Sequence, residues 1–202
     1  MRKVKVDEWL NFFKQHREKK LFSLSDLIQL TGEDKSSLSV QLARLVKADV
    51  IARAAHAWYE NPFMLPSSEE IAMIIRYPSY LSMEYALSKQ GILSQRVYTL
   101  TLVTTKLPYI YRKDRATYEY HQISHYLFWG YWREGTVLVA EPEKALLDLI
   151  YIRCVKNGDL DVEEVNSLVN DMAVDEFDME RLCNYSKKFG SGTRKILAQL
   201  NI

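Results

Sequence analysis

Cysteine is scarce in this chain. Its 202 residues include only two, Cys154 and Cys183, which lie far apart and outside any Cys-x-x-Cys or Cys/His ligand spacing. This pattern excludes a disulfide framework and gives no support to a zinc site. We therefore expect two buried free thiols, no metal ion and no cofactor.

Long apolar runs are missing as well. No stretch approaches the roughly 20 apolar residues that a bilayer-spanning helix needs. The N-terminal stretch MRKVKVDEWLNFFKQ carries charges throughout, whereas a signal peptide has a continuous apolar core. With 48% hydrophobic and 26% charged residues, the composition predicts a cytoplasmic globular protein of one large or two modest domains, with no membrane partner.

A strong net charge is the third absence, because 27 Lys and Arg stand against 26 Asp and Glu. The charges are unevenly distributed along the chain. Residues 1–64 hold 11 basic and 8 acidic side chains, whereas residues 157–202 hold 5 and 9. A basic N-terminal part and an acidic C-terminal part are compatible with an N-terminus that binds nucleic acid, but they do not establish such binding.

What the N-terminal quarter does contain is three helical patterns. VDEWLNFFKQ sets aromatic and aliphatic side chains on one face of a first helix. SLSDLIQLTG predicts a second helix that is capped by Ser23 or Ser25 and ended by Gly32. EDKSSLSVQLARLVKAD predicts a longer third helix, with Asp34 or Ser36 as its N-cap. The buried face of this third helix consists of Leu38, Leu42, Leu45 and Val46.

A hairpin pattern follows these helices. VIARAAHAWYENP predicts two short strands, residues 50–54 and 56–60, that turn near Ala55. Three helices followed by a hairpin are typical of a winged helix-turn-helix. We therefore predict an α+β fold with a winged helix-turn-helix over residues 1–62. A C-terminal mixed α/β domain, with a strand-rich centre and C-terminal helices, is predicted over residues 66–202.

Many of the side chains on the outer face of the third helix are small or hydrogen-bonding. This face consists of Lys35, Ser36, Ser37, Val40, Gln41, Arg44 and Lys47. A helix that enters the major groove needs short residues for close approach, together with Gln and Arg to match adenine and guanine edges. Double-stranded DNA is therefore the predicted partner of this helix. The predicted base contacts come from Ser36, Ser37, Gln41 and Arg44, and the predicted phosphate contacts come from Lys35, Lys47, Arg53 and His56.

Protein docking is the alternative function of such a unit, since three-helix modules with a hairpin also serve in dimerisation. Glu33 and Asp34, immediately before the third helix, favour this alternative. Acids stabilise a helix N-terminus, but they repel phosphates when they face DNA.

The rest of the chain mixes helices and strands. A helix is predicted from Glu69, another in YPSYLSMEYALSKQG before Gly91, and strands dominate residues 97–140. YIYRKDRATYEYHQIS alternates around a turn and predicts a hairpin, and HYLFWGYW and TVLVA predict further strands. EPEKALLDLIYIRCV predicts a central helix with Pro142 in its first turn, and two or three amphipathic helices follow it.

Patterns that carry chemistry are weak in this sequence. His121 and His125 on one strand lie roughly 13 Å apart, too far to share a metal ion. The EPEK segment departs from nuclease motifs, because Glu143 and Lys144 are adjacent and the acids suit a helix N-terminus. The hairpin tip with Arg112, Lys113 and Arg115 permits phosphate contacts, but a solvated turn is the simpler interpretation. We predict no catalytic residues and no enzyme.

Three segments of the chain resemble the AbiEi family of antitoxins from bacterial type IV toxin–antitoxin systems. They are DLIQLTGEDKSSLSVQLARLVKADVIARAAHAWY, YPSYLSMEYALSKQGILSQ and VLVAEPEKALLDLIYI, and the resemblance covers nearly the whole length. One departure is Ala57, where related sequences usually have a glycine in the wing.

The resemblance implies a bacterial antitoxin that represses its own operon through the winged helix. Its partners would be its own operator and a neighbouring nucleotidyltransferase-like toxin, counteracted directly or indirectly. An operator made of inverted repeats implies two copies on the DNA. The alternative function is protein docking or nuclease-like catalysis. In that case the chain is a two-domain protein that uses the winged helix as an interaction module.

Overall fold

A computed structural model describes residues 5–114, 116–158 and 162–200. The chain forms two compact units, of which the first ends at Ile75 and the second begins at Arg76. Residues 68–75, which the sequence assigns to the C-terminal domain, lie in the first unit. Within the described ranges, no helix combines the length and the apolar content that a membrane crossing requires.

The first unit combines helices with a small antiparallel sheet. Its elements are α1 (Val6–Gln15), β1 (Leu21–Ser23), α2 (Leu24–Thr31), α3 (Lys35–Lys47), β2 (Arg53–Ala55), β3 (Trp58–Glu60) and α4 (Ser68–Ile75). The strand order is β1-β3-β2, and Phe22 of β1 pairs with Tyr59 of β3. The three predicted helices and a hairpin after them are present, whereas β1 has no counterpart in the prediction. The predicted turn near Ala55 is wrong, because Ala55 ends β2 and the chain turns at His56 and Ala57.

Local signals set the ends of α2 and α3. Ser23 caps α2 in a capping box with Asp26, and Gly32 ends the helix in the left-handed conformation, with φ +69°. The carboxylate of Asp34 caps α3 by accepting the backbone N–H groups of Ser36 and Ser37 at 2.9 and 3.0 Å. The prediction left two candidate caps at each helix, and the caps are Ser23 and Asp34.

The core of the first unit combines aromatic and aliphatic side chains. It consists of Trp9, Phe13, Phe22, Leu27, Leu38, Leu42, Leu45, Ile51 and Tyr59. Each large side chain buried in this way contributes about 1.5 to 3 kcal/mol. The buried Asn61 side chain joins the end of β3 to α1 and the segment after α1. Its amide donates to the backbone carbonyls of Phe13, His16 and Lys19 at 3.2, 2.9 and 3.0 Å.

The second unit is built on a mixed sheet with the strand order β6-β7-β5-β4-β9-β8. Its strands are β4 (Ser79–Leu81), β5 (Leu100–Thr104), β6 (Tyr109–Lys113), β7 (Ala116–Gln122), β8 (Tyr131–Glu134) and β9 (Val137–Ala140). The pairs β4–β9 and β5–β7 are parallel, and β4–β5, β6–β7 and β8–β9 are antiparallel. At one edge, β6 exposes Tyr109 and Ile110. The α+β class predicted from the sequence is confirmed.

Helices lie between these strands and after them. They are α5 (Met83–Lys89), α6 (Pro142–Leu149), a π-helix (Ile150–Lys156), α7 (Val162–Asn170), α8 (Met179–Ser186) and α9 (Ser191–Gln199), with 3₁₀ turns at His125–Leu127 and Val174–Glu176. Pro142 occupies the first turn of α6, as predicted. The strand predicted for HYLFWGYW is wrong in its first half, because residues 125–127 form a 3₁₀ turn and Gly130 has a φ of +74°.

Candidate nucleic-acid interface and a buried polar cluster

The predicted contact residues of α3 fall into two groups. Lys35, Ser36, Ser37 and Lys47 are exposed, whereas Gln41 and Arg44 are half-buried. Leu38, Leu42 and Leu45 are buried on the opposite side of the helix. One face of α3 therefore packs in the core, and the opposite, polar face is exposed to solvent.

Carboxylates lie directly beside this polar face. The Ser36 hydroxyl donates to Asp34 at 2.5 Å, and the Ser37 hydroxyl donates to Glu33 Oε2 at 3.0 Å. The hydrogen bonds from Ser36 and Ser37 lower the pKa of Asp34. Both serines predicted to meet bases are therefore hydrogen-bonded to carboxylates within the protein.

Gln41 is also held from within the protein. Its Oε1 accepts the indole N–H of Trp9 at 3.2 Å, and its Nε2 donates to Glu33. Trp9 belongs to α1, so this side chain joins α1 to α3. The amide of Gln41 must exchange these partners before it can read a base edge.

Arg53 and His56 lie together on the β2–β3 hairpin. Arg53 Nη2 lies 3.3 Å from His56 Nδ1, and Arg53 Nε donates to the carbonyl of Ala55 at 3.3 Å. Both side chains are exposed. Ala57 completes the turn with a φ of +60°. The hairpin therefore presents two nitrogen-bearing side chains at its tip.

Val40 is the central residue on the outer side of α3. Its side chain is 50% exposed, and Ser36 and Ala43, one turn away on the same side, are small and exposed. The sequence places Val40 on the outer face, opposite Leu38, Leu42 and Leu45 in the helical repeat. The predicted contact residues nevertheless omitted Val40, because they were selected for their ability to form hydrogen bonds.

A second polar constellation lies inside the second unit. Lys144 and Asp148 of α6 form an ion pair, and both side chains are 0% exposed. Asp148 also accepts the hydroxyls of Tyr80 and Ser82, each at 2.9 Å, and Lys144 Nζ donates to the Tyr80 oxygen at 2.8 Å. The segments YPSYLSMEYALSKQG and EPEKALLDLIYI thus meet in one buried cluster.

Burial dominates the electrostatics of this cluster. It lowers the pKa of Lys144 and raises the pKa of Asp148, while the attraction between the two charges opposes both shifts. Burial and the neighbouring Asp148 raise the pKa of Tyr80 well above its usual range. Because neither Lys144 nor Asp148 has exposed surface, the cluster can join α6 to β4, but it offers no group to a substrate.

Aromatic rings and one glycine surround the lysine. The Lys144 ammonium lies 5.3 Å from the ring centroids of Tyr80, Trp129 and Phe189. A Cβ on Gly130 would lie 2.9 Å from Lys144 Cγ, so the backbone at this position approaches the lysine stem closely. The prediction interpreted EPEK as a helix N-terminus alone and missed this arrangement.

The remaining sites that the sequence suggested are not assembled. His121 lies in β7 and His125 in a 3₁₀ turn, and the described residues contain no group of three His, Cys, Asp or Glu able to hold a metal ion. Arg112 and Lys113 end β6, whereas Arg115 lies outside the described residues. Cys154 and Cys183 are free thiols, but the prediction that both are buried is wrong, since Cys154 is half-buried and Cys183 is exposed.

Comparisons with known proteins leave the function to be argued from these features. The chain matches no protein-family model, and a search of curated proteins also found no match.

Proposed function

We propose that this protein is a DNA-binding transcriptional autorepressor and antitoxin of the AbiEi type, acting through an N-terminal winged helix-turn-helix. The observation that carries the proposal is the solvent-facing side of α3. It follows a capped N-terminus, holds small side chains in its first turns and ends in a lysine. Such a surface suits the major groove.

The order of elements in the first unit supports this proposal. α2 and α3 are joined by a short turn at Gly32, and the β2–β3 hairpin follows α3 within the same unit. In a winged helix-turn-helix, the second helix of such a pair reads bases while the hairpin meets the adjacent backbone. Arg53 and His56 at the hairpin tip then serve as phosphate contacts.

A mobility-shift titration with the DNA upstream of the protein's own gene tests this assignment. We expect sequence-specific binding, which the paired substitutions Gln41→Ala and Arg44→Ala weaken by about 1 to 3 kcal/mol for each lost base contact. Gln15→Ala with Arg17→Ala removes the same residue types from the last residue of α1 and the turn after it, and serves as the control. Unchanged specific binding by the α3 variant would refute the assigned reading helix.

The antitoxin role needs a separate test. We propose a nucleotidyltransferase-like toxin encoded beside this gene, counteracted directly or indirectly, and two copies of the antitoxin on an inverted-repeat operator. Induction of the neighbouring gene alone should arrest growth, and co-expression of this protein should restore it. Growth arrest that persists with both proteins present would contradict the antitoxin role.

Protein docking is a second candidate, favoured by the carboxylates of Glu33 and Asp34 beside the polar face of α3. Absence of affinity for any duplex at low salt would support it. A nuclease-like role has weaker support, since Lys144 and Asp148 have no exposed surface. We propose a non-enzymatic protein, and incubation with nucleic acid and divalent cations should leave the nucleic acid intact.

A further inference from the structure

The centre of the polar face of α3 is occupied by an apolar side chain. Val40 is 50% exposed, and it lies opposite the buried leucines of the same helix. Valine loses side-chain freedom in a helix and gains nothing from solvent exposure, so helix stability does not explain this residue.

Two of the side chains that lie about one turn from Val40 are short. Ser36 precedes it by one turn, Ala43 follows it by almost one turn, and both are short. The hydroxyls of Ser36 and Ser37 are turned toward Asp34 and Glu33. The two methyl groups of Val40 are therefore accessible to a surface that approaches the middle of α3, beside the longer Arg44 one turn further on.

Gln41, the neighbouring candidate for base reading, already uses its side-chain amide in hydrogen bonds within the protein. Trp9 donates to its oxygen at 3.2 Å, and its nitrogen donates to Glu33. These contacts tie Gln41 to α1 and to the residue before the N-cap. They make Gln41 a brace between helices in the free protein and leave the centre of the face to Val40.

We infer that Val40 is a specificity-determining residue that recognises the 5-methyl group of thymine in the major groove. The thymine methyl is the apolar group that base pairs present in this groove, and aliphatic side chains contact it there. The inference rests on the proposed DNA-binding function and adds to it that the recognised sequence contains a thymine facing the centre of α3.

Deoxyuridine substitution isolates this contact, since it removes only the methyl group and keeps the base pair. A preferred duplex is first selected from a random pool with the full-length protein, and each thymine is then replaced singly by deoxyuridine. We expect one position per bound copy at which the wild type loses about fourfold in affinity, the effect of one methyl group returned to water.

Variants of Val40 then assign the loss to this side chain. Val40→Ala should bind the thymine and deoxyuridine duplexes equally at that position, and Val40→Ile should still prefer thymine. Leu30→Ala removes a comparably exposed aliphatic side chain, 47% exposed, from α2 and should keep the wild-type preference. Circular dichroism confirms folding of each variant.

Two results would overturn the inference while the proposed function stands. One is a wild type that is indifferent to deoxyuridine at every thymine of the selected site. The other is a Val40→Ala variant that still prefers thymine as strongly as the wild type. Failure to select any duplex would instead overturn the proposed function, and the inference with it.

Discussion

Ala57 has a backbone conformation that usually belongs to glycine. Its φ is +60°, in the left-handed region, where a Cβ approaches the following carbonyl oxygen and costs about 1 to 2 kcal/mol. Ala57→Gly should therefore raise the free energy of unfolding by about 1 kcal/mol, after the extra freedom of glycine in the unfolded chain is subtracted. Urea unfolding followed by tryptophan fluorescence measures the change.

The same substitution at Ala43 provides the control. Ala43 is exposed within α3, where glycine is about 1 kcal/mol worse than alanine. The two variants should therefore move the unfolding midpoint in opposite directions. A decrease in both would show that the hairpin turn carries no left-handed strain.

Gly130 fits closely against the buried lysine. An added Cβ would lie 2.9 Å from Lys144 Cγ in a residue whose φ is already +74°. Gly130→Ala should lower the free energy of unfolding by about 2 to 4 kcal/mol, because backbone strain adds to overpacking beside a buried charge. Thermal unfolding monitored by circular dichroism provides the measurement.

A substitution at Gly135 separates the backbone strain from the overpacking against Lys144. The φ of Gly135 is +62°, but nothing lies within 4 Å of the position of a Cβ. Gly135→Ala should therefore show the backbone strain alone, about 1 to 2 kcal/mol. If both alanine variants lose the same stability, contact with Lys144 contributes nothing.

At the scale of elements, carboxylates hold the N-terminal turns of three helices in the first unit. They are Asp26 in α2, Asp34 before α3 and Glu70 in α4. Burial acts to raise the pKa of Asp26 and Glu70, but hydrogen bonds from a lysine and a serine at each site outweigh it. The pKa of all three groups is lowered.

A lowered pKa in the folded state sets the direction of the pH dependence. The stabilisation is present at neutral pH, begins to fall near pH 4, where carboxyl groups of the unfolded chain take up protons, and is lost as the pH falls through the lower pKa of the folded state. A variant with Asp26→Asn and Glu70→Gln should unfold at lower urea than the wild type at pH 7. The difference should shrink steadily as the solution is acidified below about pH 4, and a constant difference from pH 7 to about pH 2 would contradict the assignment.

Elements whose ends are set by residues nearby in the chain were predictable from the sequence. The helix α2 has a local cap at Ser23 and a local stop at Gly32. The strands β1 and β4 have three residues each, and their partners lie far along the chain, as when Phe22 pairs with Tyr59. Periodicity within so short a segment carries too little information to identify a strand.

The same limit applies to the contacts of the candidate sites. The Trp9–Gln41 hydrogen bond spans 32 residues, and the Tyr80–Asp148 hydrogen bond spans 68. No pattern along the chain specifies such a pairing before the fold is known. Lys144 and Asp148 did leave a signal, since two charged residues four apart in a mostly apolar helix indicate an internal ion pair.

Across the whole molecule, the near-zero net charge determines how DNA binding should respond to salt. A chain with 27 basic and 26 acidic side chains lacks a strong overall attraction to DNA, so phosphate contacts must come from individual cations. Lys47 is exposed at the end of α3. Lys47→Ala should weaken binding to all duplexes alike and reduce the slope of log affinity against log salt by about 1.

Lys187 offers a matched control in the other unit. It is an exposed lysine at the end of α8, next to the acidic part of the chain. Lys187→Ala changes the net charge by the same amount and should leave the salt slope unchanged. A slope that falls equally in both variants would mean that total charge, and not the position of Lys47, governs binding.

The edge strand β6 also affects how the purified protein behaves at high concentration. Tyr109 and Ile110 are 42% and 53% exposed, and an uncovered edge of this kind is a template for pairing with another strand. Arg112 and Lys113 close the strand with two positive charges, which oppose the approach of an identical edge. Salt near 1 M shortens the screening length to about 3 Å and weakens this repulsion. Concentrated stocks should therefore stay dispersed in dilute buffer and begin to aggregate as salt is added.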